Sequence, residues 1–197
     1  METKSSIRKR ILSVRNEMSS DLRVKYSKQI KDRLLGMPVL TEVENVLCFA
    51  GYQSEVQTEE LIEELLDRGK KVYLPRVDGE DMEFYRITDI LDLTEGYKGI
   101  PEPNGDCTEN FRFYENADVI MIMPGCVFAK DGSRIGYGKG FYDRYLGKCD
   151  IMNRIALCFS AQIVDDIPND IHDKKASIIV TEDEIIECRK VLLQDGI

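Results

Sequence analysis

The sequence predicts an α/β protein, a three-layer α/β/α sandwich around a mostly parallel sheet. Short continuous apolar runs such as 118–123 (DVIMIM) are typical of strands buried on both faces. Segments with helical periodicity separate these runs, as crossover connections between parallel strands require. The 197 residues fit one sizeable core. We therefore expect a single domain over 1–197, with residues 1–36 forming an N-terminal helical arm packed on it.

Four segments carry apolar residues at helical spacing: 4–18, 22–35, 58–68 and 140–146. The second segment follows Ser19, a residue type that caps helix N-termini. It is followed by Gly36 and Pro38, which are typical helix stops. These segments predict the helices that cover the sheet.

Apolar runs of strand length occur at six places: 43–51, 71–75, 82–87, 118–123, 155–159 and 177–180. Residues 184–188 alternate in polarity and predict an edge strand. The region 94–110 is rich in Gly, Pro, Asn and Asp, so we expect the longest loop there.

The charge distribution excludes some partners. The net charge of −9 argues against nucleic acid. Residues 1–33, however, contain ten Lys and Arg against four Asp and Glu, a local charge of +6. Such an arm indicates an anionic ligand or self-association, although a solvated helix face explains most of its side chains. We expect a monomer or weak homodimer.

No apolar run is long enough to span a membrane, and the N-terminal segment lacks the apolar core of a secretory signal. The six cysteines form no C-x-x-C pair and mostly lie within apolar runs, which favours buried free thiols in a reducing compartment. We therefore expect a cytoplasmic protein. The single histidine, His172, disfavours a histidine-rich metal site.

The segment 123–146, MPGCVFAKDGSRIGYGKGFYDRYL, carries the clearest functional signal. Gly136, Gly138 and Gly140 alternate after a predicted strand and before a predicted helix, beside Arg134 and Lys139. Glycines let the backbone approach a ligand closely and offer unhindered N–H donors, while the cations neutralise phosphate. Neither a Walker A nor a dinucleotide motif can be aligned. A turn that needs positive φ would explain one glycine, but three among cations favour a phosphate site.

The functional interpretation of three other features depends on this loop. Asp143, in the first turn of the following helix, suits either Mg²⁺ or a helix start, and we favour the metal. Lys4 and Arg8 share one helix face, which gains importance only near a second phosphate-binding element. Glu55 follows a predicted strand, where a carboxylate can bind an amino-substituted heterocycle, although the residues alone favour a solvated loop acid.

Taken in order, these motifs resemble the 5-formyltetrahydrofolate cyclo-ligases, also called methenyltetrahydrofolate synthetases. The resemblance covers nearly the whole chain. It comprises Lys4-x-x-x-Arg8, Ser54-Glu55, 74–77 (LPRV), 123–125 (MPG), the segment 132–144 (GSRIGYGKGFYDR) and 180–182 (VTE). The glycine segment is the most specific of them.

The resemblance implies a ring closure that depends on ATP and magnesium. The formyl oxygen of 5-formyltetrahydrofolate attacks the γ-phosphate of ATP, N10 then attacks the activated carbon, and phosphate departs, giving 5,10-methenyltetrahydrofolate and ADP. No enzyme nucleophile is needed, so catalysis rests on alignment and charge neutralisation. The implied fold is a three-layer sandwich of the ribose-5-phosphate isomerase/CoA-transferase kind.

The resemblance also implies roles for individual residues. Arg134 and Lys139 are the implied catalytic cations, and Asp143 the metal ligand. Arg76 and Arg144 are further implied anion contacts. The implied ATP contacts are Lys4, Arg8, Arg134, Ile135, Gly136, Tyr137, Gly138, Lys139, Gly140, Phe141 and Tyr142. The implied folate contacts are Ala50, Glu55, Tyr137, Gly138, Lys139, Gly140 and Phe141.

One position departs from the family pattern. The family often carries a second aspartate near its C-terminal end, where this chain has Ser177. A hydroxyl is a weaker magnesium ligand than a carboxylate, so Asp143, phosphates and water are expected to hold the metal, with Asp173 as a possible substitute.

Two other classes of function share parts of this pattern. A sugar-phosphate or acyl-transfer enzyme of the same fold would not use ATP. A catalytically silent folate- or nucleotide-binding relative would keep the site without turnover, and Ser177 is the only residue that points to it.

Overall fold

The computed structural model of the protein describes residues 2–114, 118–149, 151–168, 170 and 173–188. The described chain contains five α-helices: α1 (Lys4–Glu17), α2 (Ser20–Leu35), α3 (Pro38–Glu42), α4 (Glu59–Asp67) and α5 (Phe141–Lys148). It contains twelve strands: β1 (Asn45–Leu47), β2 (Lys71–Asp78), β3 (Asp81–Ile87), β4 (Leu93–Glu95), β5 (Pro101–Pro103), β6 (Val119–Met123), β7 (Val127–Ala129), β8 (Arg134–Ile135), β9 (Asn153–Leu157), β10 (Ile163–Val164), β11 (Ile178–Val180) and β12 (Ile185–Glu187).

Seven strands form the central sheet in the order β12-β11-β9-β6-β1-β2-β3. The five inner strands run parallel to one another. β3 and β12 pair antiparallel at the two edges. The mostly parallel sheet predicted from the buried apolar runs is therefore confirmed, as is the edge strand expected at 184–188.

Side chains of the inner strands alternate between two apolar cores, as the period of two in a strand requires. Val46 lies in the core that contains the buried faces of α2, α3 and α4. Its neighbour Leu47 lies in the opposite core, with α5. Both residues are fully buried. Helices thus cover both faces of the sheet, which confirms the three-layer arrangement.

The helix α1 packs on a separate small sheet, β10-β7-β8. Its apolar face buries Ile7 and Ile11 against Val127 and Ile135. This contact brings the cationic residues of α1 to the segment that contains the three glycines. Among the described residues, no helix is long and apolar enough to cross a membrane.

Several predicted bounds were wrong. The strand predicted at 43–51 contains only Asn45–Leu47, because the chain leaves the sheet at the start of the loop that carries Glu55. The region 94–110 is not a continuous loop, since β4 and β5 pair antiparallel within it. Pro38 does not only stop α2; it begins the short helix α3, at the first-turn position where proline is well tolerated.

The cysteine prediction is confirmed. All six thiols are free, and five of them are buried, Cys188 being half-buried.

Candidate active site between the glycine loop and the first parallel strand

The two functional segments predicted from the sequence meet at the centre of the sheet. The strands β1 and β6 are parallel neighbours, with Leu47 beside Met121. From this pair the chain winds outward in opposite directions, through β2 on one side and β9 on the other. Open α/β sheets bind ligands beyond the carboxyl ends of their strands at such a switch point. Glu55 follows the end of β1, and the glycine segment follows β6.

The glycine loop, residues 136–140, connects β8 to α5. Gly138 and Gly140 have φ of +94° and +67°, in the left-handed region that favours glycine. Arg8 of α1 donates from Nε to the Gly136 carbonyl oxygen at 2.7 Å. A Cβ on Gly138 would lie 3.5 Å from the Arg8 guanidinium. Glycine at 138 and 140 therefore permits the conformation of the loop, whereas a Cβ at Gly138 would make only an ordinary van der Waals contact with Arg8.

The cations of the loop differ in exposure. Lys139 is exposed, with its side chain at the surface. The Arg134 side chain is only 4% exposed, and its Nη2 forms an ion pair with Asp143 Oδ1 at 2.8 Å. Asp143 Oδ1 also accepts from the Lys174 backbone N–H at 3.2 Å. The residue expected at the phosphates and the residue expected at the metal are thus partners of each other.

Two buried polar groups of this segment have no hydrogen-bond partner among the described residues, Arg134 Nε and the Tyr142 hydroxyl. The Arg134 guanidinium carbon lies 5.7 Å from the Tyr142 ring centroid. Buried unsatisfied donors are rare in proteins and commonly mark a ligand site. Their position supports a binding role for the glycine loop.

Lys4, the second cation predicted on α1, forms an ion pair with Asp173. Burial alone would raise the pKa of Asp173, but the hydrogen bonds from Lys4 and from the Asp170 amide, with the charge of Lys4, lower it below its usual range. Asp173, suggested as a substitute metal ligand, is therefore engaged with Lys4. Ser177 binds the backbone of Arg154, accepting from its N–H at 2.9 Å and donating to its carbonyl at 2.8 Å.

Glu55 contacts the glycine loop directly. Its Oε1 accepts from the Tyr137 hydroxyl at 2.6 Å, and its Oε2 accepts from the Tyr52 amide at 3.0 Å. The residue is 9% exposed. Burial raises the pKa of Glu55, opposed by the hydrogen bonds from Tyr137 and Tyr52 and by the charge of Arg15. The alternative of a solvated loop acid is therefore wrong.

A pocket of about 510 Å³ opens beside Glu55 and is also lined by Ala50, Ile90, Leu93 and Pro101. Its lining is mixed, because these apolar residues lie beside charged side chains that include Lys28, Lys31 and Glu60. Pro101 belongs to the region 94–110 that was predicted as a loop, and Ile90 and Leu93 precede that region. Here Tyr97 also contacts Phe141, with ring centroids 5.9 Å apart.

The other predicted contacts have different surroundings. Ile135 is buried in the core beneath α1, so only its backbone can reach a ligand. Arg76 donates to the carbonyls of Asn104 and Cys107 and lies 3.6 Å from the Tyr85 ring centroid. Arg144 donates to the carbonyls of Lys139 and Glu80. Arg76 and Arg144 therefore brace backbone segments.

One residue of this site was missed in the sequence. Arg15 of α1 is 3% exposed, although the basic residues of this arm were mostly expected to be solvated. Its Nη2 donates to the Tyr137 hydroxyl at 2.7 Å and its Nε to Ser54 Oγ at 3.0 Å. Its helical position beside Ile7 and Ile11, at spacings of eight and four, was the available signal.

The family model for 5-formyltetrahydrofolate cyclo-ligases matches residues 1–182. The chain belongs to the 5-formyltetrahydrofolate cyclo-ligase family. The cyclo-ligase of Mus musculus is 31% identical over 177 residues, covering 84% of this chain and 87% of the mouse protein. That of Escherichia coli K12 is 26% identical over 178 residues, covering 88% and 97%.

Solved structures agree with this assignment. The 5,10-methenyltetrahydrofolate synthetase of Aquifex aeolicus superposes with a TM-score of 0.81 at 30% identity, covering 94% of this chain and 93% of that one. A synthetase from Mycoplasma pneumoniae, at 22% identity and a TM-score of 0.72, shows the shared fold. The resemblance predicted from the glycine segment is confirmed, and the chain has the cyclo-ligase fold.

Proposed function

We propose that the protein catalyses the ATP-dependent cyclisation of 5-formyltetrahydrofolate to 5,10-methenyltetrahydrofolate, releasing ADP and phosphate. Family membership supports the reaction. The observation that carries it for this chain is the 2.6 Å hydrogen bond between Tyr137 and Glu55. It joins the glycine loop, suited to phosphates, to a buried carboxylate suited to a pterin, so one site serves both substrates.

On the folate side, Glu55 is the proposed anchor. An ionised carboxylate accepts hydrogen bonds, and the pterin presents an amino group and a ring N–H side by side. In this proposal the pocket beside Glu55, which is also lined by Ala50, Ile90, Leu93 and Pro101, receives the remainder of the ligand. In this assignment Tyr137 and the residues up to Phe141 contact both the folate and the nucleotide.

On the ATP side, Lys4, Arg8 and Lys139 supply positive charge, and the loop from Gly136 to Tyr142 supplies backbone donors at the start of α5. Helix N-termini and exposed amides are suited to phosphate. Lys139 is the cation that contacts the transferred phosphate. Arg134, being buried, acts from beneath the loop, where its unsatisfied Nε is available to an anion.

Magnesium fits this site as an ion held by one carboxylate together with substrate phosphates and water. The described residues contain no group of three or more His, Cys, Asp or Glu side chains that could hold a metal. Magnesium is commonly bound through one or two carboxylates together with substrate phosphates and water. Asp143 would be that carboxylate, and the ion would neutralise phosphate charge as the formyl oxygen attacks.

The reaction needs no covalent intermediate between the protein and a substrate. An amide-type oxygen is a poor leaving group, and its phosphorylation makes attack by N10 feasible. Glu55 fixes the pterin, the glycine loop fixes the γ-phosphate, and alignment of the formyl oxygen with phosphorus follows from their connection through Tyr137. Alignment of this kind contributes several kcal/mol to the barrier reduction in enzymes, roughly 7–11 at its upper range.

One assay separates the alternatives. Purified protein with ATP, magnesium and 5-formyltetrahydrofolate is expected to develop the near-ultraviolet absorbance of the methenyl product, and a non-hydrolysable ATP analogue is expected to give none. Product without ATP would indicate an enzyme of another class. Folate binding without turnover in the presence of ATP and magnesium would indicate the silent relative and overturn the proposal.

A further inference from the structure

Arg15 is the most enclosed cation described around the candidate site. Its guanidinium donates to three oxygens: the Tyr137 hydroxyl at 2.7 Å, Ser54 Oγ at 3.0 Å and the Gly125 carbonyl at 3.4 Å. A buried charge is tolerated only when it is compensated by partners. Here the partners come from the glycine loop, from the segment of Glu55 and from the end of β6, so Arg15 ties three parts of the site together.

The direction of the hydrogen bond between Tyr137 and Glu55 follows from the donors of Arg15. A guanidinium has no acceptor, so Arg15 must donate to the Tyr137 hydroxyl oxygen. The hydroxyl proton then points away, and Glu55 Oε1 lies 2.6 Å from the same oxygen. An ionised carboxylate is an acceptor only, which suits this direction. Arg15, Tyr137 and Glu55 thus form a directed chain that ends on a carboxylate.

We infer that Arg15 is a positioning residue for folate binding: it holds the Tyr137 hydroxyl toward Glu55 and thereby fixes the orientation of the Glu55 carboxylate. The inference rests on the proposed function in taking a pterin as the ligand of Glu55. It adds to that function a third residue of α1, which acts on the folate acceptor and not, like Lys4 and Arg8, on the phosphates of ATP.

The surroundings of Glu55 explain why a cation is needed. The titratable groups that face it are Tyr137 from the glycine loop, Tyr142 from α5, Cys126 after β6 and Arg15 from α1. Of these four described groups, Arg15 alone carries a positive charge in its ordinary state, and Lys28 and Lys31 line the pocket that opens beside Glu55. Burial raises the pKa of Glu55, and the charge of Arg15 opposes that effect. Loss of this charge is expected to raise the pKa of Glu55 further, which favours the protonated form that cannot accept from the pterin.

The kinetic test compares Arg15→Met, Arg15→Lys and Tyr137→Phe with a control, Arg10→Met, at an exposed position of the same helix. Arg15→Met is expected to raise the KM for 5-formyltetrahydrofolate about tenfold, the size of one lost charge-assisted hydrogen bond, with the KM for ATP within twofold. Arg15→Lys is expected to recover part of the loss. Equal increases in both KM values, or none in either, would overturn the inference.

A second measurement does not depend on turnover. In carboxyl-labelled protein, carbon NMR follows the titration of Glu55, identified by its loss in Glu55→Gln. Arg15→Met is expected to move this titration to higher pH. Tyr137→Phe is expected to move it in the same direction, and it retains the packing of the half-exposed ring. An unmoved Glu55 titration in both variants refutes the role of Arg15 even in an active enzyme. If the wild-type protein forms no methenyl product while the titration moves as expected, the proposed function is wrong, but the directed chain of Arg15, Tyr137 and Glu55 is supported.

Discussion

The side chains of Arg134 and Asp143, nine residues apart in the sequence, form an ion pair with Nη2 and Oδ1 separated by 2.8 Å. One residue was predicted at the phosphates of ATP and the other at magnesium. In the proposed site this ion pair would couple the two roles, because a metal that binds Asp143 would compete with Arg134 for the same carboxylate. The opposite charges also hold the start of α5 against β8.

Asp143→Asn tests this coupling. The variant keeps the shape of the side chain but removes the charge that would attract a cation, so we expect the magnesium concentration for half-maximal activity to rise about tenfold or more. Asp81→Asn, at an exposed aspartate that pairs with Lys148, is the matched control. A lower melting temperature with an unaltered magnesium requirement would assign Asp143 a purely structural role at the helix start.

Lys139→Ala tests the phosphate role of the loop. The side chain is exposed and contributes little packing, so we expect the melting temperature to change by no more than about 2 °C. The KM for ATP is expected to rise about tenfold or more, since a charge-assisted contact to phosphate is lost. Lys130→Ala, at a lysine whose side chain is 69% exposed, serves as the control. Wild-type kinetics in Lys139→Ala would remove this residue from the site.

Gly138→Ala tests whether the backbone conformation of the glycine loop matters for nucleotide binding. At φ of +94°, any side chain is strained, at a cost of about 1–2 kcal/mol. Gly79→Ala is a matched control, because its φ is +61° and a Cβ there would meet no atom within 4 Å. We expect both variants to lose stability in thermal unfolding, and Gly138→Ala alone to raise the KM for ATP. If the two variants keep the same KM for ATP, the backbone conformation at Gly138 does not matter for nucleotide binding.

Much of this architecture follows from the sequence, and the exceptions have physical causes. Helix α2 was predicted closely because Ser19 caps it and Gly36 ends it. The strands β7, β8 and β10 were missed because two or three residues are too few to show a periodicity. The burial of Arg15 was missed because its partners, Ser54 and Tyr137, are distant in the chain. The Arg134–Asp143 pair was missed because each residue was assigned a ligand.

The raised pKa of Glu55 predicts opposite effects of pH on stability and on activity. Burial raises the pKa of its carboxyl, so the folded protein holds this proton over a range of pH in which the unfolded chain has released it. The folded state therefore loses stability as pH rises from the usual glutamate range through the raised pKa. Folate binding needs the ionised form, so kcat/KM for 5-formyltetrahydrofolate rises through the same interval.

Glu55→Gln is expected to remove both effects, which makes it the decisive variant for this pair of trends. Thermal unfolding at a series of pH values should show the wild-type protein losing stability relative to the variant as pH increases. The variant should also bind folate weakly at every pH, because an amide offers an N–H where the pterin requires an acceptor. Glu63→Gln, on the exposed face of α4, controls for the loss of one negative charge. The fall in kcat/KM of the wild-type protein at low pH should be absent from Glu55→Gln. If it is present in the variant, it belongs to another group, and the assignment of Glu55 as the pterin acceptor is wrong.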